Sequence, residues 1–168
     1  MQHFWDETFA RAIQDPHAAV FVVEESERGA EAPSKSTIVA LAWWELPSPA
    51  WSAFEWPDLP SSVPLDVAEP FFGGMDENRE VLMKGTAHWC LELLMISPAH
   101  QGHGLGKMLV SWGAEEADRE RLPMLLHATE AGVGLYKRLG FVERMGIVVP
   151  ERVEYGTYVY GTYVRDAR

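Results

Sequence analysis

The sequence predicts an α/β protein with a mixed sheet flanked by helices, and three observations carry that expectation. Short apolar runs of strand character alternate with segments whose apolar residues recur at helical spacing. One run, Leu93-Leu94-Met95-Ile96, passes through a Ser97-Pro98 break into glycines at alternate positions, Gly102, Gly104 and Gly106. It continues into a helical pattern with Leu105, Met108, Leu109 and Trp112 on one face. The chain then closes on two strands, the second rich in Tyr, Thr and Val. A length of 168 residues suits a single domain, spanning 1–168, with a proper core.

Residues 2–14 read as a helix, with Phe4, Trp5, Phe9, Ala12 and Ile13 at helical spacing and Asp15-Pro16 as the stop. A short apolar run over 18–24 is a strand, and the charged stretch 25–36, with Gly29 and Pro33, is a hairpin loop. Residues 37–45 form the next strand, which ends in Trp43-Trp44. From Pro47 the prolines Pro49, Pro57, Pro60, Pro64 and Pro70, followed by Gly73-Gly74, predict a long loop; a short helix follows over 75–84. Residues 88–96 are a strand, 105–119 a helix, 124–129 a buried strand and 130–139 a helix ended by Gly140. Residues 141–149 and 155–164 finish as strands. There is no internal repeat and no low-complexity run.

A strand, a glycine-rich turn and a helix start make an anion site. The first N–H groups of a helix lack internal partners, and the helix dipole adds partial positive charge there. Alternating glycines let successive amides point one way and let a bulky ligand approach the backbone. The turn therefore reads as a diphosphate cradle. A Walker loop needs four residues between its first glycine and Gly-Lys, then Ser or Thr. Gly102 and Gly106 leave only three between them, and Met108 follows Lys107. A dinucleotide fingerprint would require glycine where Lys107 or Leu109 stands. Both nucleotide readings, which would bring affinity for ATP or NAD, fail by spacing.

Gln101-Gly102-His103-Gly104-Leu105-Gly106 does resemble Gln/Arg-x-x-Gly-x-Gly/Ala, the acetyl-CoA pyrophosphate loop of the GNAT superfamily of N-acetyltransferases. Downstream, Leu135-Tyr136-Lys137-Arg138-Leu139-Gly140-Phe141 is similar to that superfamily's Leu-Tyr-x-x-x-Gly-Phe element. The likeness extends over 37–164 and is closest over 88–142, the expected acetyl-CoA core. It implies a GNAT-like mixed sheet lacking the usual first strand and helix, which in relatives form one side of the acceptor groove. It also implies that the segment 46–87 is a variable insertion over the acceptor site, with a featureless surface loop as the alternative.

The resemblance implies acetyl-CoA as co-substrate and acetyl transfer to a primary amine of a small molecule or peptide, directly and without an acyl-enzyme. Pyrophosphate is expected on the amides of Gly102, His103, Gly104, Leu105, Gly106 and Lys107, behind Gln101. The thioester carbonyl is expected on backbone N–H groups of Leu94, Met95 and Ile96. Thr129 stands where many relatives carry an asparagine facing the cofactor arm, and Gly132, Leu135 and Tyr136 are assigned to that arm as well. Tyr136 aligns with the tyrosine beside the CoA sulfur and is the expected general acid; a core tyrosine beside Leu135 and Leu139 is the other reading. Glu92 is the candidate general base, on the face that alternation shares among His88, Cys90 and Leu94 unless a bulge shifts the parity. A solvated or salt-bridged carboxylate is the alternative, and His88 a second candidate base. Trp44 or Trp43 occupies a position that relatives often give to a tryptophan beside the substrate.

Composition narrows the partners. Apolar content of 47% and charged content of 23% are ordinary for a globular protein, whereas seven tryptophans are many. Most are expected in the core and some in an aromatic groove. The net charge of −11 argues against nucleic acid, and no apolar run approaches the roughly 18 residues of a membrane span. One cysteine, Cys90, and no signal peptide point to a cytoplasmic protein. Cys90 sits mid-strand with no basic neighbour in sequence, which makes a poor nucleophile. His100, His103 and His127 complete no metal-ligand set. A second copy could cover the sheet edge left by the absent first strand, giving a homodimer. The alternative function is a CoA- or acetyl-CoA-binding sensor or scaffold without turnover.

Overall fold

The computed structural model describes residues 2–26, 36–48, 56–152 and 156–168. Along them run α1 (Gln2–Gln14), β1 (Ala18–Ser26), β2 (Ser36–Glu45), α2 (Leu65–Met83) and β3 (Trp89–Ile96). Then come α3 (Leu105–Glu120), β4 (Met124–Ala128), α4 (Glu130–Arg138), β5 (Val142–Arg152) and β6 (Gly156–Arg165). The strands form one sheet in the order β1-β2-β3-β4-β6-β5. β3 and β4 run parallel because the chain crosses over through α3, and the other neighbours are antiparallel. This is the mixed sheet flanked by helices that the sequence predicts. Among the described residues, no helix is long and apolar enough to cross a membrane.

The core lies on both faces of the sheet. Trp44, Leu91, Leu126 and Phe141 pack with Val110 of α3 and Tyr136 of α4 on one face. On the other, Leu41 and Trp43 meet Ala12 of α1, while Cys90, Leu125 and Val164 meet Met83 of α2. Strand alternation sends the adjacent Trp43 and Trp44 to opposite faces, 1% and 0% exposed. Neither indole is among the residues that line the two spaces described below. Arg165 at the end of β6 is also buried; it grips both oxygens of Asp118 on α3 at 2.9 and 2.7 Å and donates to the Leu139 carbonyl at 3.1 Å. That fork ties the last strand to the ends of two helices and holds the Asp118 carboxyl below its usual range.

Two details depart from the sequence reading. The expected long loop to residue 74 and short helix over 75–84 are instead one helix, α2, beginning at Leu65. Pro64 is its N-cap in extended backbone, and Pro70 lies inside it, removing one backbone donor. Gly74 is a close-approach residue: an added Cβ would lie 3.1 Å from Ile147 Cγ2 on β5. Packing of α2 on the sheet thus overrides two residue types that read locally as breakers. Residues 27–35 of the expected hairpin loop and 49–55 of the expected insertion lie outside the described residues.

The second departure is a bulge in β3. Trp43 pairs with Leu93 but Trp44 with Leu91, so Glu92 is the extra residue. Leu94 and Ile96 consequently join Leu91 on the α3 and α4 face, while Cys90 belongs to the α2 face. Glu92 therefore does not share a face with Leu94, and the simple alternation fails by one residue.

Candidate active site

The site begins where two parallel strands part. β3 and β4 pair only from Trp89/Met124 to Leu91/Leu126, although β3 runs on to Ile96 and β4 to Ala128. Beyond that point the β4-facing edge of β3 is released from the ladder, which exposes peptide groups to a ligand in the gap. The Glu92 bulge sits at this parting and adds local twist.

β3 leads through a 3-10 turn, Pro98–His100, into the start of α3. Gly102 and Gly104 hold φ of 77° and 84°, the left-handed region that L side chains avoid. Gly104 is the N-cap of α3, its carbonyl accepting from Met108 N–H at 2.9 Å, and no side chain caps the helix among the described residues. The amides of Leu105, Gly106 and Lys107 are thus the N-terminal donors left to an anion. Gln101 braces the turn by donating from Nε2 to the Ile96 carbonyl at 3.2 Å. These elements wall a groove of about 860 Å³ running from Leu94 and Ile96, past Gly102 and Lys107, to Leu135 and Arg138.

Tyr136 is placed by the end of α4. Phe141 N–H donates to the Tyr136 carbonyl at 3.1 Å and Gly140 N–H to the Lys137 carbonyl at 3.1 Å, with Gly140 at φ 93°. This is a Schellman end, and its apolar contact is the Tyr136–Phe141 ring pair at 6.0 Å. The spacing Tyr-x-x-x-Gly-Phe is what that geometry requires. Gly132, one turn earlier, makes room for the ring: an added Cβ would lie 2.7 Å from Tyr136 Cε2. Burial pushes the Tyr136 hydroxyl up to about 12, so it keeps its proton at any physiological pH.

A second space of about 390 Å³ opens on the other side of Tyr136. Leu94, Thr129 and Tyr136 line both spaces. Its walls are mostly apolar and rich in aromatic rings, and Glu92 and His127 are its acidic and basic side chains. Behind Glu92 lies a buried charge cluster. Arg79 Nη1 donates to Glu92 Oε1 at 3.0 Å and Glu45 Oε2 at 2.5 Å, and its Nε donates to His88 Nε2 at 2.7 Å. His88 Nδ1 lies 2.7 Å from the Thr86 carbonyl and donates to it in this arrangement. His88 is thus a neutral imidazole within the cluster, its pKa lowered chiefly by burial. One guanidinium faces two carboxylates, so burial and the charge of Glu92 raise Glu45 to about 7. Arg79 also brings the basic neighbour that Cys90 lacks in sequence, yet complete burial still drives the thiol upward.

The pH dependence of stability should reflect two opposed groups. Burial and the Arg79 charge lower His127 to about 4. Between there and the ordinary value near 6.5 the unfolded chain binds more protons, so this residue makes stability fall with falling pH. Glu45, raised instead, binds more protons when folded and makes stability fall as pH rises from 4.5 through about 7, levelling off above that. His127→Gln isolates the first contribution. Between pH 7.5 and 5.5 the variant should be spared about 1 kcal/mol of loss, read from urea midpoints. Equal shifts in both proteins would remove His127 as the cause.

The structure brings most of the sequence-predicted residues to one place. Gln101, Gly102, Gly104, Leu105, Gly106 and Lys107 line the groove, as do Leu94, Ile96, Thr129, Gly132, Leu135 and Tyr136. Met95 points away, pairs with Leu41 and is 42% exposed, so only its backbone could serve; His103 also stays off the groove wall. His100 lines the groove and lies 3.4 Å from Glu25, whereas His127 lies across the sheet's opening in the second space, 3.0 Å from Thr162. The sequence reading missed Arg79, Glu45 and Arg138. Arg138 was within reach, because Leu135, Arg138 and Leu139 share a helical face with Ala131. Arg79 was not, because its partners are fixed only by where α2 packs.

The domain model described as an acetyltransferase (GNAT) domain matches residues 71–143. A probable acyltransferase SID5 of Ajellomyces capsulatus is 34% identical over 56 residues, which is 33% of this chain and 41% of that protein. The matched segment thus spans about two fifths of that relative's length. Among solved structures, NAA60 of Arabidopsis thaliana in complex with a bisubstrate analogue superposes with a TM-score of 0.63 at 10% identity, over 96% of this chain and 82% of that one. The ribosomal-protein-S18-alanine N-acetyltransferase of Escherichia coli gives 0.56 at 17% identity, over 96% and 76%. These likenesses show the GNAT fold, and with the domain match they bear out the resemblance that the Gln101–Gly106 hexad suggested.

Proposed function

We propose that this chain of GNAT fold, matching the acetyltransferase domain over 71–143, is an N-acetyltransferase that moves an acetyl group from acetyl-CoA to a primary amine of a small molecule or peptide. The observation that carries this reading is the shared wall: Leu94, Thr129 and Tyr136 front both the glycine-turn groove and the second space. A donor in one and an acceptor in the other would meet at Tyr136, which is what direct transfer requires. Residues 1–168 are taken as one such domain.

Acetyl-CoA supplies the activated acyl carbon as a thioester. The chain's own groups do the rest. The α3 amides and Lys107 hold the diphosphate, with Arg138 as a further cation at the groove. The freed edge of β3 around Leu94 to Ile96 orients the carbonyl and stabilises developing negative charge on its oxygen. Glu92, at the bulge, faces the acceptor and takes a proton from the incoming amine or orients it. Tyr136 keeps its proton and donates towards the departing sulfur.

Calorimetric titration with acetyl-CoA, with ATP and NAD as controls, tests the groove; binding restricted to acetyl-CoA is expected. Release of free thiol with a panel of amines tests the transfer. Tyr136→Phe should lower turnover about tenfold or more at unchanged acetyl-CoA affinity, and unaltered turnover would take Tyr136 out of the mechanism. The second reading, a CoA-binding sensor without turnover, draws on the ion pair that engages Glu92 with Arg79. It predicts tight binding and no thiol release with any amine.

A further inference from the structure

We propose that the acceptor is a compact monoamine with an aromatic or other bulky apolar body, an arylalkylamine in chemical class, rather than a polyamine or a peptide. This rests on the acetyltransferase reading above and concerns the second space. Its walls carry Phe4 and Trp5 of α1, Trp56, and Phe71 and Phe72 of α2, with Tyr160 of β6 beside them. The rings form a continuous lining: Phe4 stacks on Trp56 at 6.4 Å and 8°, Trp56 meets Phe72 at 5.1 Å, and Phe71 meets Tyr160 at 4.6 Å. Rings of this kind hold flat apolar bodies by offset and edge contacts. A volume of about 390 Å³ is that of a small-molecule site.

The charges decide between kinds of amine. No Lys or Arg is among the described lining residues, and the acid is Glu92, whose carboxylate is already paired with Arg79. A single ammonium can deliver its proton at Glu92 and react as the free amine. Further ammonium groups on a polyamine or aminosugar would be buried against rings with no second carboxylate among the described lining residues, which is costly. A peptide would bury backbone amides against the same rings with few partners. Thr129 and Tyr136 mark the end that this space shares with the groove, and Glu92 is its acid. The body is therefore directed to the rings and the nitrogen to the transfer point. There the amine lone pair attacks the acetyl carbonyl, the C–N bond forms as the C–S bond breaks, and the proton lost by the amine balances that gained by the thiolate. The products are the N-acetylated amine and free CoA.

The test pairs binding with turnover on the intact chain. Phenethylamine, spermidine, kanamycin and a short peptide with a free amino end are titrated against the acetyl-CoA-saturated protein, and thiol release is followed with each. Phenethylamine is expected to show kcat/KM at least about 30-fold above the other three, and to bind competitively with tryptamine. In Trp56→Ala the preference should shrink about tenfold while acetyl-CoA affinity, the control for folding, stays as in the parent; Phe72→Leu, which keeps an apolar wall, should lose less. Phenethylamine binding without turnover would support the assignment of the space while defeating the transferase reading. Better use of spermidine, kanamycin or the peptide, or no binding of phenethylamine to protein that binds acetyl-CoA, would overturn the inference.

Discussion

Arg79→Ala is expected to cost about 3–5 kcal/mol of stability at pH 8, and distinctly less at pH 5. Arg79 is 4% exposed, and its side chain is the cation beside two carboxylates removed from water, Glu45 and Glu92. Taking one partner from a buried ion pair leaves an uncompensated charge, which is far worse than exchanging the whole set for apolar groups. The pH dependence identifies the cause. Arg79 lowers Glu45 against its burial, so without the guanidinium that carboxyl should hold its proton to higher pH in the folded state; the variant then binds more protons folded than unfolded and loses stability as pH rises. At pH 5 Glu45 is neutral, and more of what is lost is packing plus the hydrogen bond to His88. Urea denaturation at the two pH values measures the difference. A loss independent of pH would mean that the stem of Arg79 matters and its charge does not. Arg79→Lys should fall between: it keeps the charge, but an ammonium cannot reproduce the fork that reaches His88 Nε2 and both carboxylates together.

The charge cluster also marks the boundary of what the sequence could tell. The turn from Ser97 to Lys107 was legible because its shape is written in backbone: glycines with positive φ, then a helix start, whatever packs around them. Tyr136 was legible for a related reason, since the Schellman end that fixes it needs only Gly140 and Phe141 nearby in the chain. The mixed sheet flanked by helices was accessible from the alternation of strand and helix patterns along the chain. The acceptor side was not. The first half of α2, with Pro70, Gly73 and Gly74, reads locally as a loop; only its seat on β5, where Gly74 approaches Ile147, makes it a helix. Arg79 stands in the second half, which does read as a helix, but what that half packs against is not written in it, so the partner of Glu92 was hidden. The one-residue bulge at Glu92 was likewise invisible, because it is a property of the pairing between β2 and β3 and not of either strand.

Gly104→Val should weaken acetyl-CoA binding roughly 100-fold or more with little change in the urea midpoint. Gly104 holds φ 84° and ψ 0° at the N-cap of α3, and an added Cβ would meet nothing within 4 Å. A clash at the Cβ is therefore excluded, and backbone strain is what any L residue introduces there. The left-handed conformation costs an ordinary L residue about 1–2 kcal/mol, and a β-branched one is a worse case. The exposed turn can relieve that strain by rotating its peptides, at small expense to the core. Rotation takes the amides of Leu105, Gly106 and Lys107 off their common aim, and an anion needs them together. The substitution series separates this account from a size effect. Asparagine tolerates the left-handed region and should keep most of the affinity, alanine should lose about tenfold, and valine most of all. Calorimetry on the three variants reads the order directly. Asparagine binding as poorly as valine would show that bulk at the mouth of the groove, rather than the conformation of the turn, governs the site.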